Sequence, residues 1–110
     1  MKTIQLADEL FEYDIENLNK NRPLDTAIDV LIYCYHDDGY DGRGVAVYLD
    51  NKGGWHLDEI SHCSCYGALD EGFNKIGYTK DQLIELLKKR TSESWIKDDY
   101  KSVLKALEQL

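Results

Sequence analysis

The chain has 110 residues, of which 43% are hydrophobic and 11% aromatic, and its formal net charge is −8. This length and apolar content predict a single domain over residues 1–110 with one core, and they exclude a disordered chain. No run of about 18 apolar residues is present, which excludes a membrane-spanning helix. The acidic residues soon after Met1 are untypical of a signal peptide, so we expect a cytoplasmic protein with its cysteines as thiols or metal ligands.

The charge is distributed unevenly along the chain. Residues 1–71 contain 5 basic and 15 acidic residues, whereas residues 72–110 contain 8 basic and 6 acidic ones. Nucleic acids and anionic membranes attract basic surfaces, so this balance argues against direct binding to either. An acidic surface favours a partner protein with a basic surface, although acidic surfaces also serve solubility alone.

Apolar residues recur at helical spacing over residues 4–19, and this pattern predicts an N-terminal helix. Thr3 is a suitable N-cap, and Pro23 would stop the helix because proline cannot continue a helix interior. The apolar positions are Ile4, Ala7, Leu10, Phe11, Ile15 and Leu18.

Alternating residues predict three strands, at about 27–36, 44–50 and 55–61. The first is apolar or aromatic on both faces, which is typical of a central strand. The residues Asn51-Lys52-Gly53-Gly54 predict a hairpin, since asparagine and glycine tolerate positive φ. The three segments together predict an antiparallel sheet of at least three strands.

Two helices are predicted in the C-terminal third. Thr79 and Gln82 have the spacing of a capping box at the start of a helix that runs to about Arg90. A second helix covers about 95–109. We therefore expect an α+β domain in which the N-terminal helix and the two C-terminal helices pack on the sheet.

Aromatic and acidic residues of the sheet region form the predicted partner-binding surface. Tyrosine and tryptophan favour binding surfaces because they combine apolar area with a polar tip. Tyr33, Tyr35 and Trp55, with the segment 62–67, are also compatible with a pocket for a small nucleotide. At least half of the aromatic residues are equally compatible with core packing beneath helices. The predicted surface comprises Tyr33, Tyr35, Asp37, Asp38, Tyr40, Asp41, Trp55 and Tyr66.

The segment His62-Cys63-Ser64-Cys65-Tyr66-Gly67 is densest in thiols and imidazoles. Cys34 and His36 share a face of the first strand, so Cys34, His36, Cys63 and Cys65 would suffice for zinc if those faces meet. Paired C-x₂-C ligands are lacking, and buried cysteines are usually small apolar packing residues, so no metal site is favoured.

A cysteine nucleophile is the remaining chemical alternative in this part of the chain. It would use His36 or His56 as its base, with Asp58 orienting His56 or His62. We assign no catalytic residue, since a complete arrangement of nucleophile, base and oxyanion donors is not recognisable.

The segment 62–67 carries a resemblance. Preceded by a hairpin with tyrosine and tryptophan and followed by Leu69-Asp70-Glu71, it resembles small uncharacterised proteins of bacteriophages and prophages. The resemblance implies a phage-type accessory protein and no functional residue. With the acidic charge, it leads us to expect an inhibitor that binds a basic, nucleic-acid-binding surface of a host protein such as a defence or CRISPR nuclease. The alternatives are a nucleotide sponge and a zinc-stabilised module, and the oligomeric state stays open, a homodimer included.

Overall fold

A computed structural model describes residues 2–10, 27–37, 41–62, 76–93 and 96–110 of the chain. The strands pair in the order β1-β2-β3-β4 within one sheet, which confirms the α+β class. Within these residues, neither helix combines the length and apolarity that crossing a membrane requires. In chain order the elements are β1 (Lys2–Ala7), β2 (Ile28–Asp37), β3 (Gly42–Asp50), β4 (Trp55–His62), α1 (Lys80–Glu93) and α2 (Lys97–Glu108).

The three predicted strands form an antiparallel meander, β2-β3-β4, with bounds within two residues of those expected. The predicted hairpin joins β3 to β4: the Asp50 amide donates to the Gly54 carbonyl at 2.9 Å. Gly53 has φ +89° there, which is a conformation that residues with a side chain rarely adopt. The local sequence pattern is therefore sufficient to build this part of the sheet.

The prediction for the N-terminal segment was wrong. Residues 4–7 lie in β1, which pairs in parallel with β2, so the sheet is mixed rather than purely antiparallel. Ile4 and Leu6 point to one side and lie half-buried against the core, while Thr3 and Gln5 on the other side are exposed. An alternation of period two is that of a β-strand. The stabilisation gained by pairing with β2 outweighs the helical preference that the apolar spacing of residues 4–19 indicated. Residues 8–10 belong to no helix either, and the rest of the predicted helix, residues 11–19, lies outside the described residues.

Both faces of the sheet are buried. On one face, Ile32, Cys34, Val45, Val47, Trp55 and Leu57 pack with the helix residues Leu83, Leu87, Ile96, Tyr100, Val103 and Leu107. On the opposite face, the buried residues are Leu10, Ile28, Leu31, Tyr33, Tyr35, Ala46, Tyr48 and Ile60. The double burial explains the near-continuous apolar sequence of β2, which is the central strand as predicted.

The two C-terminal helices begin and pack as the sequence predicts. The Thr79 amide donates to Gln82 Oε1 at 2.9 Å and the Gln82 amide donates to Thr79 Oγ1 at 3.2 Å, which is the reciprocal bonding of a capping box. α1 runs on to Glu93, slightly beyond the predicted end. In α2, Tyr100, Val103 and Leu107 are buried against the sheet and α1.

Gly44 of β3 tests how tightly the central strands pack. A Cβ atom at this position would overlap the Cys34 carbonyl oxygen and lie 2.8 Å from Tyr35 Cα, both backbone atoms of β2. We expect Gly44→Ala to lower the free energy of unfolding by about 2 kcal/mol, because the two strands must separate. Urea denaturation measures this change.

Two other glycines are the controls for that substitution. In Gly53→Ala the added methyl group meets no neighbour within 4 Å, so only the positive φ of this position disfavours alanine. The free energy of unfolding should fall by about 1 kcal/mol. Gly77→Ala makes only ordinary contacts, from 3.9 Å outward, and should be close to neutral. A Gly44→Ala protein as stable as the Gly77→Ala protein would contradict the packing described.

Candidate functional site

Acidic residues from several elements meet where β1 and β2 end and β3 begins. The Asp8 amide donates to the Tyr35 carbonyl at 2.8 Å, and Asp8 Oδ2 accepts from the Asp37 amide at 2.8 Å. The first turn of α2 contacts the same region through Asp99. We call this region the acidic end, and its described carboxylates are Asp8, Asp37, Asp41, Asp98 and Asp99.

At the acidic end, a thiol, an imidazole and a carboxylate lie in mutual contact. Cys34 and His36 share the face of β2 that α2 covers, because residues two apart in a strand point the same way. Asp99 Oδ1 lies 2.8 Å from His36 Nε2 and accepts from Cys34 Sγ at 3.5 Å. The Cys34 Sγ atom is also 3.7 Å from His36 Nε2. We call these three residues the Cys–His–Asp cluster.

The cluster is half enclosed. Cys34 and Asp99 are buried, whereas the His36 side chain is 50% exposed and gives the cluster access to solvent. A cavity of about 350 Å³ adjoins it. Arg43, which stands opposite His36 in the β2–β3 register, is exposed and contributes to its wall. The lining residues are His36, Arg43, Ile96, Asp98 and Asp99.

The thiol of the cluster is held in its protonated form. Burial and, next, the negative charge of Asp99 raise the pKa of Cys34 to about 12, so thiolate is scarce near neutral pH. His36 Nε2 is engaged with Asp99 at 2.8 Å, and the thiol bonds the same carboxylate oxygen. A nucleophilic cysteine needs a base that takes its proton, and this arrangement does not favour that chemistry.

Sequence reasoning found two of the three cluster residues. It placed Cys34 and His36 on one strand face but did not bring Asp99 to them, because Asp99 is 63 residues beyond His36. The one sequence signal that could have pointed to Asp99 was the pair of acidic residues, Asp98 and Asp99, at the start of a predicted helix. The other candidate ligands, Cys63 and Cys65, lie outside the described residues, so the predicted four-residue set stays a prediction.

The three described aromatic residues of the predicted partner-binding surface lie in the core. Tyr33, Tyr35 and Trp55 are only 3%, 0% and 6% exposed, so their side chains offer a partner or nucleotide almost no area. Trp55 instead joins the sheet to the segment before α1, since its amide and carbonyl pair with those of Tyr78 at 2.8 and 2.7 Å. Asp37, which is half-buried, and Asp41, which is exposed, lie at the acidic end. The other members, Asp38, Tyr40 and Tyr66, lie outside the described residues.

A second histidine–carboxylate pair stabilises the β3–β4 hairpin. His56 Nε2 lies 2.8 Å from Asp50 Oδ2, and the two side chains are 3% and 9% exposed. Asp50 Oδ1 accepts from the amides of Lys52 and Gly54 at 2.8 and 2.9 Å. His56 also stacks on Tyr48 with ring centroids 4.4 Å apart. Asp50 is thus the carboxylate that this hydrogen bond places against His56, and the pair lies on the opposite sheet face from Cys34. The predicted role of Asp58 in orienting His56 or His62 stays a prediction.

The protonation state of Asp50 depends on this pair. Burial raises the pKa of Asp50, but the hydrogen bonds from His56 and from the amides of Gly54 and Lys52 outweigh it, so the net pKa is below the ordinary value of 3.8. The carboxylate is therefore ionised in the folded protein at neutral pH, where it accepts all three hydrogen bonds.

A third polar contact ties α2 to β4. The Tyr100 hydroxyl donates to Glu59 Oε1 at 2.5 Å, and Arg90 Nη1 of α1 lies 3.8 Å from the same oxygen. Burial, followed by the hydrogen bond to Glu59 and then the Glu59 charge, raises the pKa of Tyr100. Arg90 and Glu59 are both about half exposed, so their ion pair contributes little. The contact orients α2 and with it Asp99.

Comparison with known proteins adds no assignment to this geometry. A scan against protein-family models found no match, and searches of the curated proteins and of the solved structures found none either.

The Asp50–His56 pair predicts a pH-dependent part of the stability. We expect Asp50→Asn to lower the free energy of unfolding by about 2 kcal/mol near neutral pH, because the buried partners lose a charged acceptor. The folded-state pKa of Asp50 is depressed, so its contribution is complete above the ordinary value of 3.8 and is lost as the pH falls through the folded-state value. Denaturant titrations at descending pH should show the two proteins converging.

The exposed strand residue Asp29 supplies the control, since Asp29→Asn should change stability little at any pH. A wild type and an Asp50→Asn variant that still differ by their neutral-pH amount at a pH below the folded-state pKa of Asp50 would contradict the role of the charge.

Proposed function

We propose that this protein is an interaction protein whose acidic end binds a basic surface of a partner protein, in the manner of an inhibitor. The observation that carries the proposal is the gathering of carboxylates at one end of the sheet, where they come from the residue after β1, the end of β2, the segment before β3, and the first turn of α2. Asp8, Asp41 and Asp98 are exposed there. Charges of one sign on one surface steer a partner of opposite sign and set the rate of encounter.

The positions of the basic residues also favour the acidic end as the surface that contacts a basic partner. Lys97, Lys101 and Lys105 recur every four residues along α2 and are exposed, so they form a separate basic line on the helix. Arg43 is the basic residue in the wall of the cavity at the acidic end. Among the described residues, the ends of β1 and β2 are therefore the approach that we favour for a basic partner.

The nature of the partner rests on the sequence. The excess of acidic residues over residues 1–71 and the resemblance to phage proteins favour a host protein with a nucleic-acid-binding surface, such as a defence or CRISPR nuclease. Carboxylates resemble nucleic-acid phosphates in charge, and an acidic protein surface competes for the same lysines and arginines.

The nucleotide sponge receives less support from the geometry. Its pocket was to be formed by Tyr33, Tyr35 and Trp55 together with residues 62–67. The three aromatic side chains are buried in two clusters on opposite faces of the sheet, so they do not line one pocket.

Affinity capture from bacterial lysate tests the proposal, with bound proteins identified by mass spectrometry. The captured partner should carry a basic surface, and its affinity should fall steeply with salt, since the Debye length drops from about 10 Å at 0.1 M to about 3 Å at 1 M. The acidic-end variant should bind the partner about tenfold more weakly. It combines Asp37→Asn, Asp41→Asn and Asp98→Asn.

A variant with the same loss of charge elsewhere is the matched control. It combines Asp29→Asn at the start of β2, Asp81→Asn in the first turn of α1 and Glu85→Gln, all exposed. This protein should bind as the wild type does. Binding that ignores salt, or equal losses in the two variants, would refute a partner site at the acidic end.

A further inference from the structure

We infer that the Cys–His–Asp cluster is a binding site for a divalent transition-metal ion, with Zn²⁺ the best match, in which Cys34, His36 and Asp99 supply three ligands. The three ligand atoms are the Cys34 sulfur, a ring nitrogen of His36 and a carboxylate oxygen of Asp99. They lie within 4.8 Å of one another. Sulfur and nitrogen donors exclude Mg²⁺ and Ca²⁺, which take oxygen ligands.

The distances between the ligand atoms are close to those around zinc. With bonds of about 2.3 Å to sulfur and about 2.1 Å to nitrogen and oxygen, a tetrahedron places sulfur about 3.6 Å from each of the other two atoms. The observed separations are 3.7 Å from Cys34 Sγ to His36 Nε2 and 3.5 Å to Asp99 Oδ1.

One distance changes when the ion enters. His36 Nε2 and Asp99 Oδ1 are 2.8 Å apart as hydrogen-bond partners, and the tetrahedron needs about 3.4 Å. The His36 side chain is 50% exposed, so its ring has room to make this small movement without displacing the core.

The protons and charges balance on binding. The Cys34 thiol proton leaves to solvent as sulfur bonds the metal, and neutral His36 carries its proton on Nδ1 so that Nε2 donates its lone pair. Thiolate and carboxylate then neutralise the two positive charges of the ion. The half-buried site therefore holds no net charge, which avoids the cost of burying an uncompensated one.

The fold supports a metal at this position and leaves one coordination place for water. Cys34 and His36 come from the rigid central strand, and Asp99 comes from α2, whose orientation Tyr100 and Glu59 maintain. The adjoining cavity of about 350 Å³ touches His36 and Asp99, and it gives water access to the fourth place. The bound ion would join α2 to β2.

Metal analysis of the untagged full chain, purified without chelator, tests the inference. The protein should hold about one zinc ion, and added Zn²⁺ should raise its melting temperature. Co²⁺ in its place should give a thiolate-to-cobalt charge-transfer band and the visible bands of a tetrahedral site. Cys34→Ser and Asp99→Asn should each weaken zinc binding by at least about tenfold. In the cobalt protein, Cys34→Ser should remove the charge-transfer band, and Asp99→Asn should remove the visible bands of the tetrahedral site.

Two controls keep the result decisive. Asp98→Asn removes the neighbouring carboxylate from the cavity wall and should leave zinc binding unchanged. The double variant Cys63→Ser, Cys65→Ser should keep the Cys34 charge-transfer band. A band that disappears with Cys63 and Cys65 while Cys34→Ser retains it would overturn the assignment, as would protein that binds no zinc. Neither outcome bears on the partner site, because the three carboxylates of the acidic-end variant, Asp37, Asp41 and Asp98, are not among the proposed metal ligands.

Discussion

The rest of the structure depends on β2 being buried on both faces. Helices cover the face of Ile32 and Cys34, and the opposite face buries Leu31 and Tyr35, so the strand is apolar or aromatic without interruption from Val30 to Tyr35. Burial of this kind stabilises the domain in proportion to the apolar area removed from water. It also confines polar chemistry to the strand's end, where His36 and Asp37 meet the acidic end.

Docking of α2 converts this end of the sheet into a candidate site. The helix buries Tyr100, Val103 and Leu107, and that apolar anchoring carries Asp99 to Cys34 and His36. A buried carboxylate without partners would be costly, so the thiol and the imidazole are required neighbours of Asp99 whether or not a metal is bound. The acidic partner surface and the Cys–His–Asp cluster share one region but use different side chains: exposed carboxylates for the former and mostly buried ligands for the latter.

Local signals predicted most elements correctly. Alternation placed β2, β3 and β4, the residues 51–54 placed the hairpin, and Thr79 with Gln82 placed the start of α1. The N-terminal segment failed because a six-residue edge strand contains too few residues to separate a period of two from a helical period. The burial of Tyr33, Tyr35 and Trp55 could not be read from the sequence for a related reason: tyrosine and tryptophan suit both interfaces and cores, and composition does not distinguish them.

The sequence by itself determined the α+β class, the meander, the two C-terminal helices and the presence of Cys34 and His36 on one strand face. Each of these follows from residues within a few positions of one another, whose periodicity and capping are local properties. Only the tertiary structure decided that Lys2–Ala7 is a parallel strand, that Tyr33 and Tyr35 are core, and that Asp99 completes the cluster. Those outcomes depend on pairing and packing between residues tens of positions apart, and no local pattern specifies such contacts.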